Sequence, residues 1–279
     1  MGTGQELYKK AKKIIPGGTQ LFSKRPEKVL PDQWPSYYSK CRGVQVWDLD
    51  GNEYIDMSHA AVGTCSLGFA DPDVDAAVVE ALKLGNMSTL NVPEEVELAE
   101  LLCKIHPWAQ MVRFGRTGGE AMTIALRIAR ASTGRDKVLF CGYHGWHDWY
   151  LSANLADDKA LDGQLMPGLE PAGVPRALKG TSIPFYYNNL NSFRNIFSSF
   201  KDEIAAVVME PVRDNWPEKG FLETIREMTE QNKIPLIFDE VTSGFRMISG
   251  GVHLELGINP DIAVFAKALG NGYPIAAII

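Results

Sequence analysis

Pro235-Leu236-Ile237-Phe238-Asp239-Glu240 and Ile262-Ala263-Val264-Phe265-Ala266-Lys267 decide how this chain folds. Each is a short apolar run that ends on charge. Runs of this kind predict strands buried on both faces of a parallel sheet. In open α/β sheets the ligand crevice lies beyond the carboxyl ends of the strands. Asp239 and Lys267, twenty-eight residues apart, are therefore expected at one sheet edge. An acid and an amine placed there could hold a carbonyl compound between them.

The same rhythm extends outward from these runs. Met111-Val112-Arg113-Phe114 predicts a strand, Gly118 to Ala131 a helix, and Lys137-Val138-Leu139-Phe140-Cys141 a second strand. Ala205-Ala206-Val207-Val208-Met209, a helix from about Phe221 to Asn232, and a last apolar stretch from Ile275 to Ile279 complete the series. Strands and helices in alternation predict a mostly parallel, doubly wound sheet. A helix over Pro93 to Ile105 carries an apolar stripe of Val96, Leu98, Ala99, Leu101 and Leu102. Another is expected after Asp71-Pro72-Asp73, with proline in its first turn. Upstream, Val44 to Asp56 predicts a hairpin turning at Asp50-Gly51-Asn52, and the first forty residues are expected to be irregular after a short helix. Tyr150 to Ile183 is a long loop, a length usually found in lids or binding segments.

Bulk properties narrow the function classes. The 279 residues are 45% hydrophobic and 22% charged, with formal net charge −6, the profile of a soluble globular protein. The one basic cluster, Lys9-Lys10-Ala11-Lys12-Lys13, suits the solvated face of a helix, so no nucleic-acid partner is expected. No apolar run reaches membrane-spanning length, and Met1 to Glu6 has no signal-peptide core. Cys41, Cys65, Cys103 and Cys141 are far apart and lack CxxC spacing, against a zinc site or a disulfide framework. A cytoplasmic location is the expectation.

Chemistry-bearing residues collect at the predicted strand ends. Gly270-Asn271-Gly272 after Lys267 gives the backbone freedom for close approach of a ligand, and a desolvated amine there can form a Schiff base. A carboxylate at Asp239 could keep a pyridine nitrogen protonated and make the ring an electron sink. Arg116-Thr117-Gly118-Gly119-Glu120-Ala121 joins a strand to a helix, and free amides at a helix N-terminus can cradle a phosphate. Tyr143 and His144 lie in Gly142-Tyr143-His144-Gly145-Trp146-His147-Asp148, where an aromatic ring can stack on a flat cofactor. A metal site built from His144, His147 and Asp148 is the competing idea, but the spacing matches no zinc signature. Glu210 ends another strand and adds an acid. His59, His106 and His253 sit apart in the sequence and are expected to be structural or surface residues.

Phosphate cradle, aromatic plate, acid and lysine in chain order resemble the class III pyridoxal-phosphate aminotransferases of fold type I, nearest the glutamate-1-semialdehyde 2,1-aminomutase branch. Phe238-Asp239-Glu240-Val241-Thr242-Ser243-Gly244-Phe245-Arg246 and Ala266-Lys267-Ala268-Leu269-Gly270-Asn271-Gly272 carry the resemblance most specifically. It implies pyridoxal 5'-phosphate (PLP) as cofactor, with Lys267 as its carrier and the proton-moving base. It further implies Asp239 as partner of the ring nitrogen, Val241 and Tyr143 as plates on the two ring faces, and His144 beside Tyr143. Gly118 and Gly119 would form the phosphate cradle and Glu210 an acid near the cofactor's edge, with no metal. Amino donor, oxo or aldehyde acceptor and a homodimer follow by the same route. The aminomutase reaction is the alternative, and a binding protein without catalysis the remote one.

Three stretches depart from the aminomutase pattern. Thr19 to Arg25 replaces a serine-, proline- and arginine-bearing stretch, Thr117-Gly118-Gly119 replaces Ser-Gly-Thr, and Trp146 to Tyr150 adds aromatic bulk. The resemblance divides the chain into an N-terminal segment, 1–58, belonging to a smaller domain, and a large cofactor-binding domain, 59–279. Because the sequence stops inside an apolar run, that domain and the smaller one are expected to be incomplete at the C-terminus.

Overall fold

The computed structural model describes residues 2–58, 60–164 and 168–279. They form two compact units, Met1–Thr89 and Leu90–Ile279. The division between them falls after Thr89. His59 lies outside the described residues.

In the first unit, α1 (Thr3–Ile14) precedes a three-stranded antiparallel sheet of β1 (Tyr38–Arg42), β2 (Gln45–Asp48) and β3 (Glu53–Ile55). The expected hairpin is β2–β3. Asp48 fixes its turn by accepting from the amides of Asp50 and Asn52, both at 2.9 Å, and Gly51 takes the left-handed φ of 84° that such a turn needs. The irregular stretch ends earlier than the sequence suggests, because Tyr38–Arg42 pairs with β2. The short α2 (Ala60–Gly63) and then α3 (Pro72–Leu84) follow. Asp71 caps α3, accepting from the amides of Asp73 and Val74, with Pro72 in its first turn.

The second unit is built on a seven-stranded sheet. Its strands are β4 (Arg113–Gly115), β5 (Lys137–Cys141), β6 (Ser182–Pro184), β7 (Ile204–Met209), β8 (Leu236–Asp239), β9 (Ile262–Phe265) and β10 (Ala276–Ile278). Their spatial order is β4-β10-β9-β8-β7-β5-β6. Strands β5 to β9 pair in parallel, and β10 alone runs antiparallel, between β4 and β9. The apolar run Ala276–Ile279 is therefore an interior strand with partners on both sides and buried side chains. This is the mostly parallel α/β sheet the alternation predicted.

Helices cover both faces. They are α4 (Pro93–Ile105), α5 (Gly118–Thr133), α6 (Asp148–Leu151), α7 (Leu190–Phe200), α8 (Phe221–Gln231) and α9 (Val252–Leu256). Successive strand residues point to opposite faces. Val138, Phe140, Ala206, Val208, Ile237 and Val264 accordingly pack with Met122, Ala125 and Leu126 of α5. Leu139, Val207, Met209, Leu236 and Phe238 pack on the other side with Phe193 and Phe197 of α7 and Phe221 and Ile225 of α8. Burial on both faces is why these strands read as unbroken apolar runs. The long loop after Tyr150 is not free-standing. Asn154 accepts from the Leu161 amide at 2.9 Å, and Gln164 accepts from the Gly142 amide at 2.8 Å, at the carboxyl end of β5.

Candidate active site

The carboxyl ends of β5, β7, β8 and β9 deliver Tyr143 and His144, Glu210, Asp239 and Lys267 to one edge. Lys267 follows β9 by two residues and holds a left-handed backbone, φ 50°, a conformation that costs a residue with a Cβ. Its amine is half-buried and donates to Thr242 Oγ1 at 3.0 Å. Burial lowers its pKa below the ordinary lysine value, opposed by the negative charges of Asp239 and Glu210 and reinforced by Arg246 and Arg213. The neutral, nucleophilic form is thereby more accessible than on a solvated lysine.

Asp239 is 4% exposed. One carboxylate oxygen accepts from the Val241 amide at 3.0 Å, and the other faces His144 Nδ1 at 2.7 Å. His144 Nε2 lies 3.1 Å from the Cys141 carbonyl. A carbonyl oxygen only accepts, so Nε2 carries a proton and donates it. Both ring nitrogens are thus engaged, and the ring locks the Asp239 carboxylate in place.

Glu210, also 4% exposed, accepts through Oε2 from the Tyr143 amide at 2.9 Å and from Arg213 Nη1 at 2.7 Å. Burial raises its pKa and the Asp239 charge adds to the rise, while Arg213, His144 and the Tyr143 amide pull the other way. Gly142, at φ 112°, has to be glycine here, since a Cβ would lie 2.5 Å from Glu210 Oε2. The Tyr143 ring stands edge-on to Trp146 and Tyr150, with centroids 5.3 and 5.9 Å away.

Gly118 and Gly119 open α5. Thr117 caps the helix, its hydroxyl accepting from the Glu120 amide at 3.2 Å. The amides of Gly118 and Gly119 have no protein acceptor among the described residues, as expected for the first turn of a helix. A Cβ on Gly118 would sit 3.0 Å from a Val241 methyl, which brings this turn against β8's loop.

Several residues of this edge escape a sequence reading. Thr242 and Arg213 hold the lysine and the buried glutamate, and only the third dimension shows it. His106 and His253 do not sit apart: both are buried, with rings 5.4 Å apart and stacked. His253 Nδ1 lies 2.8 Å from Glu240 Oε1, and Trp108 Nε1 donates to His253 Nε2 at 3.2 Å. Glu240, His253 and His106 thus form a buried polar cluster into which the half-buried Trp108 donates. His144 and His147 turn to different partners, Asp239 and Thr123, so they do not converge on a common point.

A model of the class-III aminotransferase family matches residues 29–279. The chain belongs to that family. A 3-aminobutyryl-CoA aminotransferase of Cloacimonas acidaminovorans is 34% identical over the whole chain. A glutamate-1-semialdehyde 2,1-aminomutase of Methanocaldococcus jannaschii is 38% identical, again over the whole chain. The chain spans 64% of the length of each. Among solved structures, the FumI protein of Sphingopyxis sp. MTA144, determined in its PLP internal aldimine form, superposes with TM-score 0.86. That match has 28% identity and covers all of this chain and 64% of the other. The sheet and its helices are the fold of the PLP-dependent transaminases, and the family uses PLP. The candidate site fits such a group: an amine of lowered pKa, a locked buried carboxylate, and two amides without a protein acceptor at a helix start suit an aldehyde, a ring nitrogen and a phosphate.

Proposed function

We propose that the protein is a PLP-dependent aminotransferase that moves an amino group from an amine or amino acid to an oxo or aldehyde acceptor. The observation that carries this is Lys267, a half-buried amine at the sheet edge with Asp239 locked nearby. When bound, PLP supplies a carbonyl that captures amines and a protonated ring that withdraws electrons. Lys267 Nζ is the amine that would hold the cofactor's aldehyde and, when free, would accept and return the donor's α-proton. Thr242 Oγ1 orients that amine. Asp239, held by His144 and the Val241 amide, would keep a proton on the ring nitrogen. Tyr143 and Val241 would cover the cofactor ring, Gly118 and Gly119 would hold the phosphate through their amides, and Glu210 would supply an acid beside it.

A half-reaction screen tests the assignment. Amino donors should convert the yellow, cofactor-loaded protein to its colourless amine-loaded form, and recovery should need an external oxo acid. The aminomutase reading draws on the 38% identity to a glutamate-1-semialdehyde 2,1-aminomutase. Recovery on a single substrate, with no oxo acid, would favour it and overturn external transfer.

The setting proposed for this chemistry is the cytoplasm, with no nucleic-acid partner. Its support is the acidic balance of the chain and the lack, among the described residues, of a helix long and apolar enough to cross a membrane. A homodimer is the proposed assembly, and residues 1–58 the proposed part of a smaller domain. Sedimentation of the purified protein at one subunit mass would contradict the dimer.

A further inference from the structure

Arg213 lies on the loop that follows β7. That loop is braced at both ends. Tyr187 Oη donates to the Pro211 carbonyl at 2.7 Å. Asn188 donates through Nδ2 to the Trp216 carbonyl at 3.1 Å and accepts at Oδ1 from the Glu218 amide at 2.9 Å. Between these anchors the guanidinium is half-buried, its side chain 24% exposed. Nη1 donates to Glu210 Oε2 at 2.7 Å, and the same oxygen accepts from the Tyr143 amide at 2.9 Å. One carboxylate oxygen thus sets the arginine beside the backbone of Tyr143. Nε lies 3.8 Å from the Asp214 carboxylate, whose side chain is 87% exposed, a solvated ion pair that contributes little. Nη2 has no acceptor among the described residues and is not sealed from solvent.

We infer that Arg213 is a substrate-binding residue that receives, on Nη2, the carboxylate of an amino-acid donor or an oxo-acid acceptor. The inference rests on the aminotransferase reading above and narrows its substrates to those with a free carboxylate. The charge of Arg213 reaches both the Lys267 amine and the Tyr143 phenol, so the guanidinium belongs to the crevice they line. Arg246, whose charge also reaches Lys267, is exposed, and Lys267 itself is committed to the cofactor. A half-buried guanidinium is screened less than a solvated one and binds a carboxylate through stronger, charge-assisted hydrogen bonds. Its planar fork can also give Nη2 to a ligand while Nη1 stays on Glu210. The buried glutamate therefore keeps its cation as substrates come and go. Its own charge repels the incoming carboxylate and limits how tightly acids bind.

Half-reaction rates of the PLP-loaded protein with matched donors test this. Alanine, 3-aminobutanoate and 4-aminobutanoate are each compared with the corresponding amide, which keeps the shape and lacks the charge. At least one acid should bleach the yellow band faster than its amide. Arg213→Gln should cut that acid-to-amide ratio about 10- to 100-fold, the scale of a hydrogen bond between charged groups, by slowing the acid and sparing the amide. Arg213→Lys, which keeps the charge without the fork, should retain part of the ratio. Glu210→Gln, which removes the repulsion and leaves the arginine in place, should raise it. A merely structural arginine would slow acid and amide alike, and that result would overturn the inference. So would a parent protein that prefers no acid to its amide, or a ratio that survives Arg213→Gln. If Arg213→Gln fails to fold because Glu210 loses its cation, the double variant with Glu210→Gln, uncharged at both positions, decides by the same ratio. Failure of every donor, acid and amide, to bleach the band would instead sink the aminotransferase reading itself, taking the inference with it.

Discussion

Lys267 is held where its charge is disfavoured, and this has a consequence for stability. A lysine whose folded pKa is lowered makes the fold less stable wherever the amine is protonated in both states. The penalty is full below the folded pKa and is relieved as pH rises toward the unfolded value of about 10.4. Cofactor-free Lys267→Met should therefore resist urea better than the parent at neutral pH. The gap should shrink as pH climbs toward 10, and a gap that does not change with pH would contradict the account. Arg213 presents the opposite case. Removing it in Arg213→Met leaves Glu210 buried without its cation, at a cost of about 3 kcal/mol, measurable by urea unfolding. Pairing it with Glu210→Gln should restore most of the loss. Thr242 and Arg213 were invisible to sequence reading because nothing in their spacing marks them; their roles come from strands that meet only in space. His147 was weighed with His144 for its nearness in sequence, yet the turn at Gly145 sends the two rings to different partners.

Among the elements, those with strong periodic signals were legible. The helix Pro93–Ile105 has the bounds its proline start and apolar stripe predict, and β5 was read residue for residue. β1 was not read, because Tyr38–Arg42 is mostly exposed and carries no apolar alternation. α7 escaped as well: Leu190–Phe200 is rich in Ser and Asn, weak helix formers, although Phe193 and Phe197, four apart and both buried, were a signal in plain sight. The start of α5 is the element most sensitive to a single atom. A Cβ in Gly118→Ala meets Val241 at 3.0 and 3.1 Å, so the variant should lose about 1–3 kcal/mol of stability by overpacking and bind PLP more weakly. Adding Val241→Ala opens the space and should recover the stability. No recovery would mean that the turn's glycine is required for some other reason.

For the molecule as a whole, the sheet order explains why the site lies where it does. β5, β7, β8 and β9 are parallel neighbours, so every chemistry-bearing loop after them opens at one edge, and β10 closes the sheet between β9 and β4. Two apolar runs, each ending on a charge, were enough to place Asp239 and Lys267 there. What they could not convey are the buried polar partners, His144 against Asp239, Arg213 beside Glu210 and His253 on Glu240, because buried polar pairs leave no periodic trace. The claim that unites these scales is that Lys267 carries the cofactor. Borohydride reduction of the PLP-loaded protein, followed by peptide mapping by mass spectrometry, tests it most directly. The account predicts loss of the yellow band and a single pyridoxyl adduct on Lys267. An adduct on another lysine, or a Lys267→Ala protein that keeps the yellow band and is labelled equally, would contradict it.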